Sequence, residues 1–510
     1  MSDTTAAAGA PPGDPALRQR VLAALGWALT GRVFAQATSW VITLVVIRLL
    51  TPEDYGLMAL ATIFVTLVAL VNELGMGGAL IQADRLTKVQ IRQTFGIVIV
   101  VQAAFGFLII ATALPVALFF SDARLAPILQ VSSLQFFFLA FAIIPEALLM
   151  RALEFRLKAY VDTLSQLVGS VVTLALALWG FGVWALVWGV IANSLLKAIG
   201  FTLAAGFYAW PSFSLRGMRA ILSFGGMLTA ERVFWFLYSQ ADNLILGKRF
   251  GGEALGVYSV AIQLAALPMD KLGPIIGQVA FPAFARVQQR PHDATAYLLM
   301  AMRLIAFISF PALFGLSAVA PWFIPAALGA KWHDAILPLQ LLALSVPFRF
   351  IALALPPYLK GLGHARLSMT NTVLAFILLP VAFLIGSSWG AVGLSIAWLA
   401  IYPPYFAITL VRSSRVTPIT LAASLRAIAP SAAAAAVMYG AVVAVGTALP
   451  TAASPGLHLI VLIGLGATVY GGLMLTFQRA ACLEAGALLV PPRFQIWRGA
   501  TRSSPRSNGR

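Results

Sequence analysis

Ten ionisable side chains stand inside stretches of sequence that are otherwise apolar. The cations are Arg32, Lys197, Arg232, Lys271 and Arg349, and the acids are Glu73, Glu146, Glu231, Asp242 and Asp270. A charge at the centre of a membrane helix costs about 2.5–3.5 kcal/mol on insertion scales, so such residues face a polar interior or a partner rather than lipid. Cations in that setting have the chemistry to receive an anion. Asp242 and Glu146 have the chemistry to carry a coupling proton or sodium ion.

Each residue also has a purely structural reading. Arg32 snorkels to the surface if its helix begins later than Leu25. Arg232 has Glu231 beside it and Lys271 has Asp270, so both read equally as paired charges. Lys197 and Arg349 are better isolated and favour a cavity role. Glu73 and Glu146 stand near the cytoplasmic ends of their helices, where an interfacial position explains them. Asp242-Asn243 reads as an ion relay or as an interhelical hydrogen-bonding pair.

Covalent chemistry has thin support. The histidines, His292, His333, His364 and His458, are scattered near loops without ligand spacing, and Cys482 is the single cysteine. That excludes internal disulfides and a cysteine-based metal site. There is no Gly-rich phosphate loop, no His-Glu-x-x-His and no nucleophile elbow. No cofactor, no metal and no ATPase activity are expected.

These residues must be positioned by membrane helices. The chain has 510 residues, 60% hydrophobic and 10% charged, where a soluble domain carries about 25% charged residues. Apolar runs of about 20 residues, the length that crosses a bilayer, recur throughout. They read as an all-α polytopic membrane protein with about fourteen spanning helices. Their approximate spans are 24–47, 55–75, 95–119, 127–149, 161–180, 184–208, 221–247, 255–280, 299–322, 335–357, 368–386, 391–411, 427–449 and 457–477. The first fifteen residues, rich in Ala, Pro and Gly, are expected to be disordered. No cleavable signal is visible, so the first helix is expected to stay in place.

The helices are duplicated. Arg32 to Ala61 returns 200 residues later as Arg232 to Ala261, with eight identities in thirty positions. They include Arg-Val-Phe, Ser39 with Ser239, Glu53 with Glu253 and Gly56 with Gly256, polar and loop matches that shared hydrophobicity does not supply. Six helices separate the copies, so both insert with one orientation, as a parallel repeat about an axis along the membrane normal. The expected organisation is a cytoplasmic N-terminus (1–20), two six-helix lobes (21–210 and 211–420), two added helices (421–480) and a basic cytoplasmic tail (481–510). Arg32 and Arg232 at matching depths would flank a central cleft. The small-residue run Ser431 to Ala436 fits close helix packing.

The net charge of +17 lacks the basic block with exposed aromatics that nucleic acid would want. The Lys and Arg residues instead alternate by side. One side collects clusters such as Arg85, Lys88 and Arg92, then Arg151, Arg156 and Lys158. The other has only Arg48, Arg124, Lys248, Arg249 and Lys331. The positive-inside rule then puts both termini in the cytoplasm.

The segments RLLTPEDYGLMALATIF (48–64), ELGMGGALIQADRLTKVQIRQTFG (73–96), ADNLILGKRFGGEALGVYSVAIQLAALP (241–268) and FPAFARVQ (281–288) resemble the polysaccharide exporters of the multidrug/oligosaccharidyl-lipid/polysaccharide superfamily. Within it they are similar to the Wzx-type (WzxC-like) lipid-linked oligosaccharide flippases. The resemblance covers roughly residues 20–420 and is weaker over the last two helices. It implies two six-helix lobes in a V that opens alternately to each side. It also implies a substrate of undecaprenyl-pyrophosphate-linked repeat units, flipped from the cytoplasmic to the periplasmic leaflet of the bacterial inner membrane. The product would serve exopolysaccharide, capsule or O-antigen synthesis, with a polymerase and glycosyltransferases as potential partners.

In such flippases a cationic cavity receives the pyrophosphate. Arg32 fits that picture best, and Lys197, Arg232, Lys271 and Arg349 fit by charge and location. The alternatives are a cation-coupled multidrug exporter, which would want a more acidic and aromatic cavity, and a membrane-embedded acyl- or glycosyltransferase. The latter would need a catalytic cluster and a sizeable extramembrane loop.

Overall fold

Every backbone polar group in hydrocarbon must be satisfied within its own segment, and the apolar runs of this chain accordingly form helices. A computed structural model describes residues 36, 38–72, 87–213, 226–286, 288–449 and 455–477, and no strand occurs among them. In chain order the helices are α1 (Thr38–Leu49), α2 (Pro52–Asn72), α3 (Lys88–Phe120), α4 (Leu125–Ser132) and α5 (Leu134–Arg151). Then come α6 (Phe155–Leu178), α7 (Val183–Ala205), α8 (Gly226–Arg286), α9 (Pro291–Ala327) and α10 (Ile336–Ala352). The last are α11 (Leu355–Gly361), α12 (Ala365–Gly386), α13 (Gly390–Ser413), α14 (Leu421–Ala448) and α15 (Pro455–Phe477).

Eleven spans among the described residues are long and apolar enough to cross a membrane, so this is a multi-pass membrane protein. Four of those spans contain a break, and Leu125–Arg151 and Ala330–Gly361 are interrupted where α4 meets α5 and α10 meets α11. In Val233–Asp270 the break falls at Gly251, whose φ of 78° is left-handed and natural for glycine; in Ala365–Ser413 it is the 3-10 turn Ser387–Trp389. Of the fourteen spans expected, most of 24–47 lies outside the described residues.

Local chemistry sets the helix starts. The Thr51 hydroxyl accepts from the Asp54 amide at 3.2 Å while the Asp54 carboxylate accepts from the Thr51 amide at 3.0 Å. Pro52 occupies the first helical position. The arrangement is a capping box with Asp in place of Glu. Thr87 and Gln90 repeat it at α3, with bonds of 3.2 and 3.0 Å.

The chain divides into two compact units. The first comprises residues 1–49, 75–111 and 130–224. Within it α5, α6 and α7 pack together, around small cores that include Phe95, Ile144, Leu149 and Phe201. The second comprises 50–74, 112–129 and 225–510. Residues 50–74 and 112–129, expected in the N-terminal lobe, thus group by packing with the C-terminal part. The second unit's core runs through Met302, Phe310, Phe350, Tyr358 and Met438. Here α9 packs on α10 and α14, and α12 on α8 and α13. Ser431, Ala434 and Ala435 of the small-residue run are buried.

The duplication has a structural counterpart inside the second unit. A Cβ placed on Gly56 would stand 1.8 Å from the Gly252 carbonyl oxygen, and one on Gly256 would stand 1.6 Å from the Pro52 carbonyl oxygen. Position 56 matches 256 and 52 matches 252, so the two copies meet through equivalent residues, with a two-fold character. Backbone contact this close requires glycine.

Candidate functional site

Asp242 lies in the first segment of α8 and has no exposed surface. A buried carboxylate is tolerated only with hydrogen bonds and a nearby cation. Asp242 has both. The Tyr258 hydroxyl donates to its Oδ2 at 2.6 Å, Trp398 Nε1 donates to the same oxygen at 2.7 Å, and the Asn243 amide donates to Oδ1 at 2.8 Å. The break at Gly251 lets Tyr258, on the second segment, return to Asp242 on the first. Trp398 comes from α13. The guanidinium of Arg349, on α10, sits 3.9 Å from the centroid of the Trp398 ring, close enough for cation–π attraction. Its charge acts on Asp242, and its buried Nη1 has no hydrogen-bond acceptor.

Aromatic residues continue from this cluster along α13. Trp398 packs against Tyr402 with centroids 5.8 Å apart, and Tyr402 meets Tyr405 edge-on at 5.4 Å. The Tyr405 hydroxyl donates to the Asn371 carbonyl of α12 at 3.1 Å.

A second cluster belongs to the first unit. Lys158 donates to Asp162 at 2.7 Å and pairs with Glu146 at 2.6 Å, and Lys197 reaches Asp162 at 3.4 Å. Lys158 also lies 5.6 Å from the centroid of Phe201. Two cations and two carboxylates balance. Lys197 and Glu146, considered separately as an anion ligand and an ion carrier, therefore share one neutral network.

The sparse cations of the less basic side are also engaged locally. Arg124 bonds Glu53 at 2.5 Å and Asp122 at 2.8 Å. The hydrogen bond from Arg124 holds the Asp122 carboxyl below its usual value. Lys248 donates to the Phe119 carbonyl, and Arg249 to the Ser387 hydroxyl at 2.7 Å.

Among the other candidates, Arg32 and Glu73 lie outside the described residues. Arg232, Glu231 and Lys271 belong to α8, but their side chains are outside the description. Asp270 is exposed. The structure thus unites Asp242 with Arg349, and Lys197 with Glu146. Sequence reading missed Tyr258, Trp398 and Asp162. The first two sat unmarked among apolar runs, while Asp162 follows Lys158 at the i,i+4 spacing that favours a helical ion pair.

Residues 45–337 match a family described as polysaccharide biosynthesis protein. The chain is 26% identical to the lipopolysaccharide biosynthesis protein WzxC of Escherichia coli (strain K12), over 76% of this chain and 79% of that one. It is 25% identical to the succinoglycan biosynthesis transport protein ExoT of Rhizobium meliloti (strain 1021), over 74% and 76%. Its fold matches the lipid II flippase MurJ in an inward closed conformation, with a TM-score of 0.68 and 14% identity, covering 88% of this chain and 99% of MurJ.

Proposed function

The chain belongs to the polysaccharide biosynthesis protein family, and we propose from that membership that it flips a lipid-linked oligosaccharide across a membrane by alternating access. Likeness to WzxC and to ExoT, each over about three quarters of the relative's length, carries the reading. The membrane is the bacterial inner membrane, with both termini cytoplasmic, and the cargo is a repeat unit on undecaprenyl pyrophosphate for exopolysaccharide, capsule or O-antigen synthesis. A polymerase and glycosyltransferases are the partners. The protein makes and breaks no covalent bond in this scheme.

A pyrophosphate is too polar to cross hydrocarbon unaided, and charge-assisted hydrogen bonds from basic side chains offset its desolvation. Arg32, Arg232, Lys271 and Arg349 are the cations assigned to it. Arg349 supports the role because its Nη1 lacks an acceptor, a donor that a phosphate oxygen satisfies once the site opens. Lys197 is the weaker member, since Asp162 already partners it. With the cytoplasm negative, outward movement of the anion is favoured by about 2.3 kcal/mol per charge per 100 mV.

Asp242 is assigned to ion coupling, and Glu146 ranks below it because Lys158 already partners Glu146. Hard cations take oxygen ligands, whereas Asp242 meets an O–H and two N–H donors. The coupling ion we propose is therefore a proton. Its uptake turns one donor away from Oδ2 and loosens the tie between α8 and α13.

The test is complementation of polymer export in a flippase-deficient strain, with Arg32→Ala and Arg232→Ala at matched expression. Both variants are expected to lose export. Normal export by both would refute the cationic site.

A further inference from the structure

The second unit has a partly open cavity of about 210 Å³ between α8, α11, α12 and α13. That is below the range of drug-sized pockets and suits one sugar ring rather than a whole repeat unit. Trp235, Tyr238, Tyr402 and Tyr405 line it with aromatic surface, and Ser368, Thr372 and Thr409 add hydroxyls. Among the described lining residues Lys360 is the only one that carries a full charge, and none is a carboxylate. The cavity is therefore suited neither to a metal cation nor to a pyrophosphate.

Asn371 decides what it is suited to. The residue is 5% exposed and lines the cavity, and its Oδ1 and Nδ2 have no hydrogen-bond partner and no accessible surface, so a ligand engages them only when the neighbouring side chains shift. A buried carboxamide left unpaired on both atoms is costly, and such groups in native structures are usually satisfied by something bound. An amide presents one donor and one acceptor side by side. A vicinal diol of a pyranose presents the complementary pair. The aromatic walls complete the match, because a pyranose also has an apolar C–H face that packs on an aromatic ring. An alkyl chain would fill the volume but leave both amide atoms unpaired.

We propose that this cavity is a saccharide subsite that takes one neutral pyranose residue, with Asn371 as the hydrogen-bonding group and Trp235 as an aromatic platform. The inference rests on the flippase reading for its biological ligand, the sugar portion of the lipid-linked cargo. Tyr402 lines the cavity and also packs on Trp398, so a bound sugar sits one side chain from the Asp242 cluster.

The test uses the full chain in lipid nanodiscs with methyl β-D-glucopyranoside and methyl β-D-galactopyranoside as probes, observed by saturation-transfer NMR. The wild type is expected to saturate the ring C–H protons of at least one glycoside. Asn371→Ala should weaken binding about tenfold, as expected for losing both amide hydrogen bonds. Trp235→Ala, at a residue 46% exposed and so tolerant of truncation, should weaken it as well with the melting temperature unchanged. Absence of transfer in the wild type, or transfer undiminished in both variants, overturns the subsite. A parallel assay in proteoliposomes compares movement of undecaprenyl pyrophosphate with and without its saccharide. A wild type that binds glycosides but flips neither lipid upholds the subsite and overturns the flippase reading. One that flips the saccharide-bearing lipid but binds no glycoside does the reverse.

Discussion

Replacing Arg349 by Met removes the cation that acts on Asp242 while keeping much of the side chain's packing over Trp398. Stripping one partner from a directly bonded buried ion pair costs about 3–5 kcal/mol, whereas Arg349 acts on Asp242 through its charge alone. The carboxylate here retains three hydrogen bonds, from Tyr258, Trp398 and Asn243, so the loss falls below that range, at about 2–3 kcal/mol. For a chain this long each kcal/mol moves the melting temperature by roughly 1–2 °C, which predicts a fall of about 2–6 °C in detergent. Asp242→Asn alone turns an amide N–H toward one of the donors and costs about 1–3 kcal/mol. In the double variant no charge remains to be neutralised. Its loss should fall short of the sum of the single losses by at least about 1 kcal/mol, the mark of interacting residues. Fluorescence-detected thermal denaturation of the four proteins measures this directly. Additive losses, or an Arg349→Met protein as stable as the wild type, would refute the pairing.

Other consequences follow from the remaining clusters. Gly256→Val forces side-chain atoms into the Pro52 carbonyl, already only 1.6 Å from a Cβ position, and folded yield by size-exclusion chromatography should collapse, whereas Gly440→Ala, in open surroundings, should leave it unchanged. Lys158→Met should lower the melting temperature more than Lys197→Met, because Lys158 holds Glu146 and Asp162 while Lys197 reaches Asp162 alone. Arg124 lowers the Asp122 value, so that pair stabilises the protein above the usual aspartate pKa and the benefit fades as pH falls through the lowered value. The groups are partly exposed, so the effect is under about 1 kcal/mol, and Asp122→Asn should remove it and flatten the stability curve on the acid side of the usual aspartate range.

Much of the architecture was legible because its signals are local. The T-P-E-D sequence at 51–54 supplies both halves of a capping box and a first-turn proline. Gly56 and Gly256 stood out as repeat matches, and the structure gives the physical reason, a backbone contact that no side chain fits. Asp242 was visible as a charge in an apolar run. Its partners were not. Trp398 lies 156 residues away and Tyr258 16 residues away across the Gly251 break. Only helix packing brings them together, and aromatic residues in membrane spans read as ordinary core. Arg349 and Asp242 were assigned to different roles for the same reason. The Lys158–Asp162 pair was available from its spacing but was masked by counting Lys158 among loop charges. Grouping of residues 50–74 and 112–129 with the C-terminal part is likewise a property of packing, which a six-plus-six count of spans does not contain.

Reconstitution tests the central claim most directly. The purified chain in proteoliposomes, loaded with fluorescent undecaprenyl-pyrophosphate oligosaccharide, should move the lipid between leaflets, faster with the potential oriented to draw the anion outward. Arg32→Ala and Arg349→Met should each slow that movement at least tenfold, a barrier increase of about 1.4 kcal/mol. Transfer no faster than in protein-free vesicles, under either sign of potential, would contradict the account.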